Sequence, residues 1–274
     1  MLNSEQLSWI YQHAYLPEHL PGYVESISGA KPHLQDNFLC FSRKRHLIFI
    51  GYPLGSKPGD LIGTYDFACK HFQPSTVSII APKIWLPPKT FEKQPKDSYY
   101  RLDLPLGRLN PEVAYMVRRA KREVSITYGE FGKEHLRLIN DFLSRHELTP
   151  EQRYIFKHIS HYLKDSKTSI IIEARKKNRL VAFNIVDMGS VDYAFYLFNF
   201  RSVTENVPGA SDLLFYEMVS LAQSKGKGAI NLGLGIHPGI RRFKEKWGGV
   251  YFLPYASALI RRQPPELKSL FDKL

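Results

Sequence analysis

Lys244 and Lys246 stand just after the glycine-bounded turn 233–239, where a cation can meet a phosphate or an oxyanion. Two residues apart, they lie about 200° around a helix, so one faces a site while the other faces solvent. Arg201 follows the aromatic run Tyr193-Ala194-Phe195-Tyr196-Leu197-Phe198. Alternation there sends one face into a core and leaves Tyr193 or Tyr196 to line a groove. Glu217 is a general base if buried and a solvated carboxylate otherwise. His237, in the turn Gly235-Ile236-His237-Pro238, titrates in a range suited to proton transfer or is an exposed turn residue. Asn206-Val207-Pro208-Gly209-Ala210-Ser211 leads into a helix whose first N–H groups are unpaired and at the positive end of the dipole, as phosphate binding requires. Ser211 or Asp212 serves equally well to cap that helix. No Ser/His/Asp order, metal-ligand spacing or Walker loop occurs, so nucleophilic and metal catalysis lack support. The set suits direct attack by an amine on an activated carbonyl, which needs a neutral amine, a stabilised oxyanion and a seat for phosphates.

The chain that must position these groups has 274 residues, with 38 Lys+Arg against 26 Asp+Glu and a formal charge of +12. At 43% hydrophobic and 23% charged it lies in the globular range, which excludes wholesale disorder. Its length favours two domains. Two cysteines, Cys40 and Cys69, exclude a disulfide framework and a four-cysteine zinc site. The polar start Met1-Leu2-Asn3-Ser4-Glu5 lacks signal-peptide character, and no run is apolar over the ~20 residues of a membrane span. We therefore expect a cytoplasmic protein, with peripheral contact at the inner face of a membrane left open. The positive charge points to an acidic partner: nucleic acid, a phosphate-bearing cofactor or an anionic lipid surface. It is clumped at Arg43-Lys44-Arg45, at Arg118-Arg119 with Lys121-Arg122, at Arg175-Lys176-Lys177 with Arg179, and at Arg241-Arg242 with Lys244 and Lys246.

Periodicity and punctuation set out the elements. In the first half, strands are expected at 38–41 and 46–50, a helix over 58–72, and strands at 77–80 and 99–104. Asn110-Pro111 starts a helix to about 123 that ends in basic residues. The second half predicts helices at 132–147 and 150–164, then a three-stranded meander at 169–174, 180–187 and 191–200. A helix from 210 to about 225 follows, ended by Lys225-Gly226-Lys227-Gly228, then a strand at 229–233, a short basic helix at 239–246 and a last strand near 250–253. The order α-α-β-β-β-α-β-α-β is how the GNAT N-acyltransferase fold runs, and the first half reads as a diverged copy.

Three motifs make a resemblance specific. Pro208-Gly209-Ala210-Ser211-Asp212-Leu213-Leu214-Phe215-Tyr216-Glu217-Met218, the block Ile230-Asn231-Leu232-Gly233-Leu234-Gly235, and Arg242-Phe243-Lys244-Glu245-Lys246-Trp247-Gly248 resemble the phosphatidylglycerol lysyltransferase C-terminal domain family. The last of these is also similar to the Phe-Lys-x-Lys-aromatic signature of Fem-type peptidoglycan aminoacyltransferases. Phe49-Ile50-Gly51-Tyr52-Pro53-Leu54-Gly55 resembles the turn of that family's first domain, and the likeness runs from about residue 38 to 256. Where the family has an Asp-x-x-Arg pair after the meander, this chain has Phe198-Asn199-Phe200-Arg201, so the arginine matches and the aspartate does not.

The resemblance implies an α+β fold, a mixed sheet in two tandem GNAT-like domains, with boundaries expected at 1–125 and 126–274. It implies transfer of an aminoacyl group from aminoacyl-tRNA to an amine or hydroxyl, such as a lipid or peptidoglycan precursor, with no tightly bound cofactor. An acyl-CoA-dependent N-acyltransferase is the alternative, although the usual phosphate-loop pattern is reduced to Gly209-Ala210. A GNAT-like module without activity that binds RNA or an anionic surface is a third. Lys244, Arg201 and Glu217 are the expected catalytic residues. Gly209, Ala210, Ser211, Asp212, Asn231 and Lys246 are expected on the donor, and Tyr196 and His237 on the acceptor.

Overall fold

The computed structural model describes residues 2–93 and 96–262. The chain opens with α1 (Ser4–His13), a 3-10 turn at Pro17–His19 and α2 (Pro21–Ser28). Then come β1 (Lys31–Gln35), β2 (Phe38–Arg43), β3 (His46–Ile50), α3 (Leu61–Phe72), β4 (Thr76–Ala81) and the short β5 (Glu92–Lys93). β6 (Asp97–Asp103) leads to α4 (Pro111–Lys121), β7 (Ser125–Gly129), α5 (Lys133–Arg145) and α6 (Pro150–Asp165). The remainder is β8 (Ser169–Lys176), β9 (Arg179–Asp187), β10 (Tyr193–Arg201), α7 (Ala210–Ser224), β11 (Ala229–Leu234), α8 (Pro238–Lys246) and β12 (Val250–Arg261).

These elements form two compact units of interleaved segments. The first takes the described parts of Met1–Ser8, Gly29–Ser98 and Leu253–Leu274; the second takes Trp9–Ser28 and Tyr99–Phe252. A single cut near residue 125 does not describe this division, because the strand that closes each sheet comes from elsewhere in the sequence.

In the first unit β1, β2 and β3 form an antiparallel meander, and β4 returns parallel to β3 after α3. The C-terminal part of β12 then pairs antiparallel with β4, from Ala256↔Ala81 to Arg261↔Thr76. Alternation along β4 buries Val77, Ile79 and Ala81 beneath Tyr65 and Ala68 of α3, together with Phe38, Phe49, Ala258 and Ile260. Asp60 caps α3, accepting from the Gly63 N–H at 2.9 Å.

The second unit repeats the scheme. β7, β8, β9 and β10 run antiparallel, β11 is parallel to β10 after α7, and β6 closes the sheet antiparallel to β11. Lys177 and Asn178 both take positive φ, so the basic run 175–179 is a tight hairpin turn between β8 and β9. α4 and α7 cover one face, burying Val113, Val117, Leu214, Met218, Ile230 and Leu232 in one core. Full burial of each large side chain in such a core is worth about 1.5–3 kcal/mol. On the opposite face α5, α6 and α2 cover Phe183, Ile185 and Phe200. Local signals start these helices: Asn110 accepts from Glu112 N–H at 2.9 Å ahead of Pro111, and Thr149 with Gln152 forms a reciprocal capping box. β7, which the sequence reading lacks, precedes the predicted order, and β12 continues to Arg261 rather than ending near 253. Among the described residues no helix is long and apolar enough to cross a membrane.

Candidate active site

The parallel ladder between β10 and β11 is short, with Tyr193↔Ala229, Ala194↔Ile230 and Phe195↔Asn231 its only pairs. Beyond them each strand bulges and follows its other neighbour. β10 breaks register between Tyr196 and Phe198 and stays on β9 as far as Arg201↔Ala182. β11 breaks register between Asn231 and Gly233 and stays on β6 to Leu234↔Tyr99. An opening results in the middle of the sheet, with backbone groups on its two lips that have no ladder partner across it. Asn231 fixes the bulge from below. Its side chain is fully buried, Oδ1 accepts from the Gly233 N–H at 2.8 Å, and Nδ2 donates to the Tyr15 carbonyl at 2.7 Å. With φ at +71°, Gly233 adopts a conformation that side-chain-bearing residues rarely take.

On the face covered by α7 and α8, Lys244 lies at this opening. It is 3% exposed, Nζ donates to the Leu234 carbonyl at 2.6 Å, and the Tyr100 ring centroid is 5.5 Å away. A Cβ on Gly233 would come within 4.0 Å of Nζ and 3.8 Å of the Tyr196 carbonyl, so all three meet at the mouth. Tyr196 packs on Phe215 and Phe243, and burial, with the Asp212 charge, pushes its phenol upward.

Lys246 and Asp212 serve each other rather than an open donor seat. They form an ion pair at 2.7 Å, and Trp247 Nε1 donates to the same carboxylate oxygen at 2.9 Å. This pins α8 to the first turn of α7. Ser211 does not cap either; its hydroxyl donates to Asn199 Oδ1 at 3.0 Å, and Asn199 in turn bonds Asn184. The N-cap position is Gly209, which has no side-chain cap. Its φ is +83°, and a Cβ there would lie 2.4 Å from the Met116 carbonyl of α4, so glycine permits this close crossing. Ala210 is buried behind it.

Three further expectations fall away from the mouth. Glu217 faces Tyr128 of β7, whose phenol burial and the Glu217 charge push upward. In the sheet, β8 and β9 lie between β7 and β10, so Glu217 is not placed to act as base at the opening. Arg201 is exposed at the far end of β10. His237 is exposed at the N-cap of α8.

On the face opposite α7, the segment Trp9–Ser28 supplies residues that sequence reading missed. Glu18, in the 3-10 turn, is close enough to Tyr23 for its charge to raise that phenol, and Tyr99 helps to hold Glu18's charged form. Burial outweighs Tyr99 and the Glu18 backbone N–H, and pushes the carboxyl up from its ordinary value. The available signal was a glutamate and a histidine inside the proline-flanked apolar run Leu16-Pro17-Glu18-His19-Leu20-Pro21.

No protein-family model and no curated protein matches the sequence. Among solved structures, the fold is similar to the C-terminal domain of a protein assigned as a lysylphosphatidylglycerol synthetase from Agrobacterium fabrum. That match has a TM-score of 0.60 at 14% identity and covers 98% of this chain and 95% of that one. FemX matches with a TM-score of 0.65 at 10% identity over 99% of both chains. A tandem GNAT protein from the clavulanic acid biosynthesis pathway matches with a TM-score of 0.50 at 9% identity, covering 83% of this chain and 79% of that one. The chain thus has the α+β, tandem GNAT-like fold of the group its motifs resemble.

Proposed function

We propose that the protein is an acyltransferase that moves an aminoacyl group from aminoacyl-tRNA to an amine or hydroxyl acceptor, such as a lipid or peptidoglycan precursor. The observation that carries this reading is the opening between β10 and β11, which provides a passage through the sheet with one covered face on each side. The acyl carbonyl sits at the opening, where free backbone N–H groups on the lips and the Lys244 ammonium stabilise the charge that develops on its oxygen. Direct attack by the acceptor suffices, since no nucleophile of the chain stands at the mouth.

Two features favour a tRNA donor. The charge is +12. Beside the start of α7, α4 turns Arg118, Arg119, Arg122 and a 56% exposed Tyr115 to solvent, a cationic face with an aromatic ring suited to phosphates and a stacked base. The second reading, an acyl-CoA donor, is favoured by the first turn of α7, where no side chain caps the N-terminus.

Melting of the purified protein with bulk aminoacylated tRNA, and separately with acetyl-CoA, separates these. Ligand at 100 times its dissociation constant adds about 2.7 kcal/mol. We expect a shift with charged tRNA that fades as salt rises. A shift with acetyl-CoA alone replaces it with the second reading, and silence from both rejects acyl transfer in favour of a binding module.

A further inference from the structure

Lys244 and the α7 start occupy one face of the opening; what occupies the other is the turn at Pro17–His19. Tyr99 pairs with Leu234 at the open end of β11, and Tyr23 packs on Phe198 just past the bulge of β10, ring centroids 6.3 Å apart. Glu18 stands against both rings, and so between the two lips where the strands have parted. Its Oε2 is cut off from solvent with no hydrogen-bond partner, and no basic side chain forms an ion pair with Glu18 among the described residues. By contrast, the neighbouring acid Asp187 is satisfied by Tyr162, Thr168 and the Gly189 N–H. An unsatisfied buried carboxylate destabilises a fold by several kcal/mol when charged, so its presence at an opening marks a place that something else completes.

We propose that Glu18 is the seat of a primary ammonium group brought by one of the two partners of acyl transfer, held by the carboxylate against the rings of Tyr23 and Tyr99. The group's chemistry follows from the surroundings: a single negative charge among aromatic faces selects a compact cation with N–H donors. If the ammonium belongs to the acceptor, it gives one proton to the Glu18 carboxylate. The freed lone pair then attacks the acyl carbon, a C–N bond forms, and the donor's C–O or C–S bond breaks with its electron pair leaving on oxygen or sulfur, which takes up a proton. If the acceptor is a hydroxyl, Glu18 holds the α-ammonium of the aminoacyl group and takes no proton. Which partner brings the ammonium rests on the acyl-transfer reading; the seat itself does not.

The test is calorimetric titration, without turnover, of the full chain and its Glu18→Gln and Glu18→Leu variants with two probes. L-alanine methyl ester stands for the aminoacyl end of a donor, and n-butylammonium for an acceptor amine. We expect saturable binding of one probe to the wild type, weakened at least tenfold in both variants, and the probe that binds identifies the source. Both variants are expected to melt at or above the wild-type temperature, since each removes a buried unsatisfied charge. Absence of binding to the wild type, equal binding by the variants, or variants that fail to fold would each overturn the proposal. Ammonium binding in a protein that ignores both acyl donors would keep the seat and reject acyl transfer. Donor-induced melting shifts without ammonium binding would do the reverse.

Discussion

The two units carry the same succession of meander, helix and parallel strand, yet one ladder is closed and the other open. In the first unit β3 and β4 pair without interruption from His46↔Thr76 to Ile50↔Ile80, and the Gly51 N–H continues the bonding to the Ile80 carbonyl. Its helix begins with a side-chain cap, Asp60. In the second unit the equivalent ladder stops after Phe195↔Asn231, and its helix begins at an uncapped glycine. The difference traces to few residues: apolar Val77 and Ile79 knit one strand pair into a core, whereas Asn231 and Gly233 hold the other apart. One topology can thus be filled as scaffold or left ajar as a site.

The comparison can be broken in graded steps. Gly209→Ala puts a Cβ against the Met116 carbonyl at a left-handed position, and is expected to cost about 2–5 kcal/mol in urea unfolding. A loss below about 1 kcal/mol would mean that the α4–α7 crossing is not tight. Asn231→Ala leaves the Tyr15 carbonyl and the Gly233 N–H without their partner, with an expected cost of about 2–4 kcal/mol. It should also abolish the donor-induced melting shift; a retained shift would show that the bulge does not make the site. Asp60→Ala removes the α3 cap for about 1 kcal/mol, speeding amide exchange in α3 while the donor-induced shift stays unchanged. A diminished shift there would assign the first unit a part in binding.

Much of the frame was legible because its causes are local. Asn110-Pro111 and Thr149-Pro150 marked helix starts, Gly226 and Gly228 a helix end, and the order of elements gave the fold. β1 escaped notice because Lys31-Pro32-His33-Leu34-Gln35 has neither clean alternation nor β-branched residues, and β12 was cut short by Pro254. The site was legible in part. Motif likeness singled out Lys244, which lies at the mouth. Lys246 and Asp212 were misjudged because each charge is met by a partner on another helix, and Glu217 because its distance from the mouth depends on strand order. Glu18 was invisible because its environment is made by Tyr23 and Tyr99, the latter from the far side of the first unit's segment.

The exchanged closing strands set a timetable for synthesis. Tyr52 bonds the Pro254 carbonyl across 202 residues, and β4 waits nearly as long for β12. At roughly 5–20 residues per second on a ribosome, the edge formed by Val77, Ile79 and Ala81 stays unpaired for about ten to forty seconds. β11, in contrast, emerges to find β6 already made. The closed, scaffold-like unit is therefore the last to be completed. A nascent chain halted before residue 250 would present a bare apolar strand edge, the kind of template on which chains aggregate.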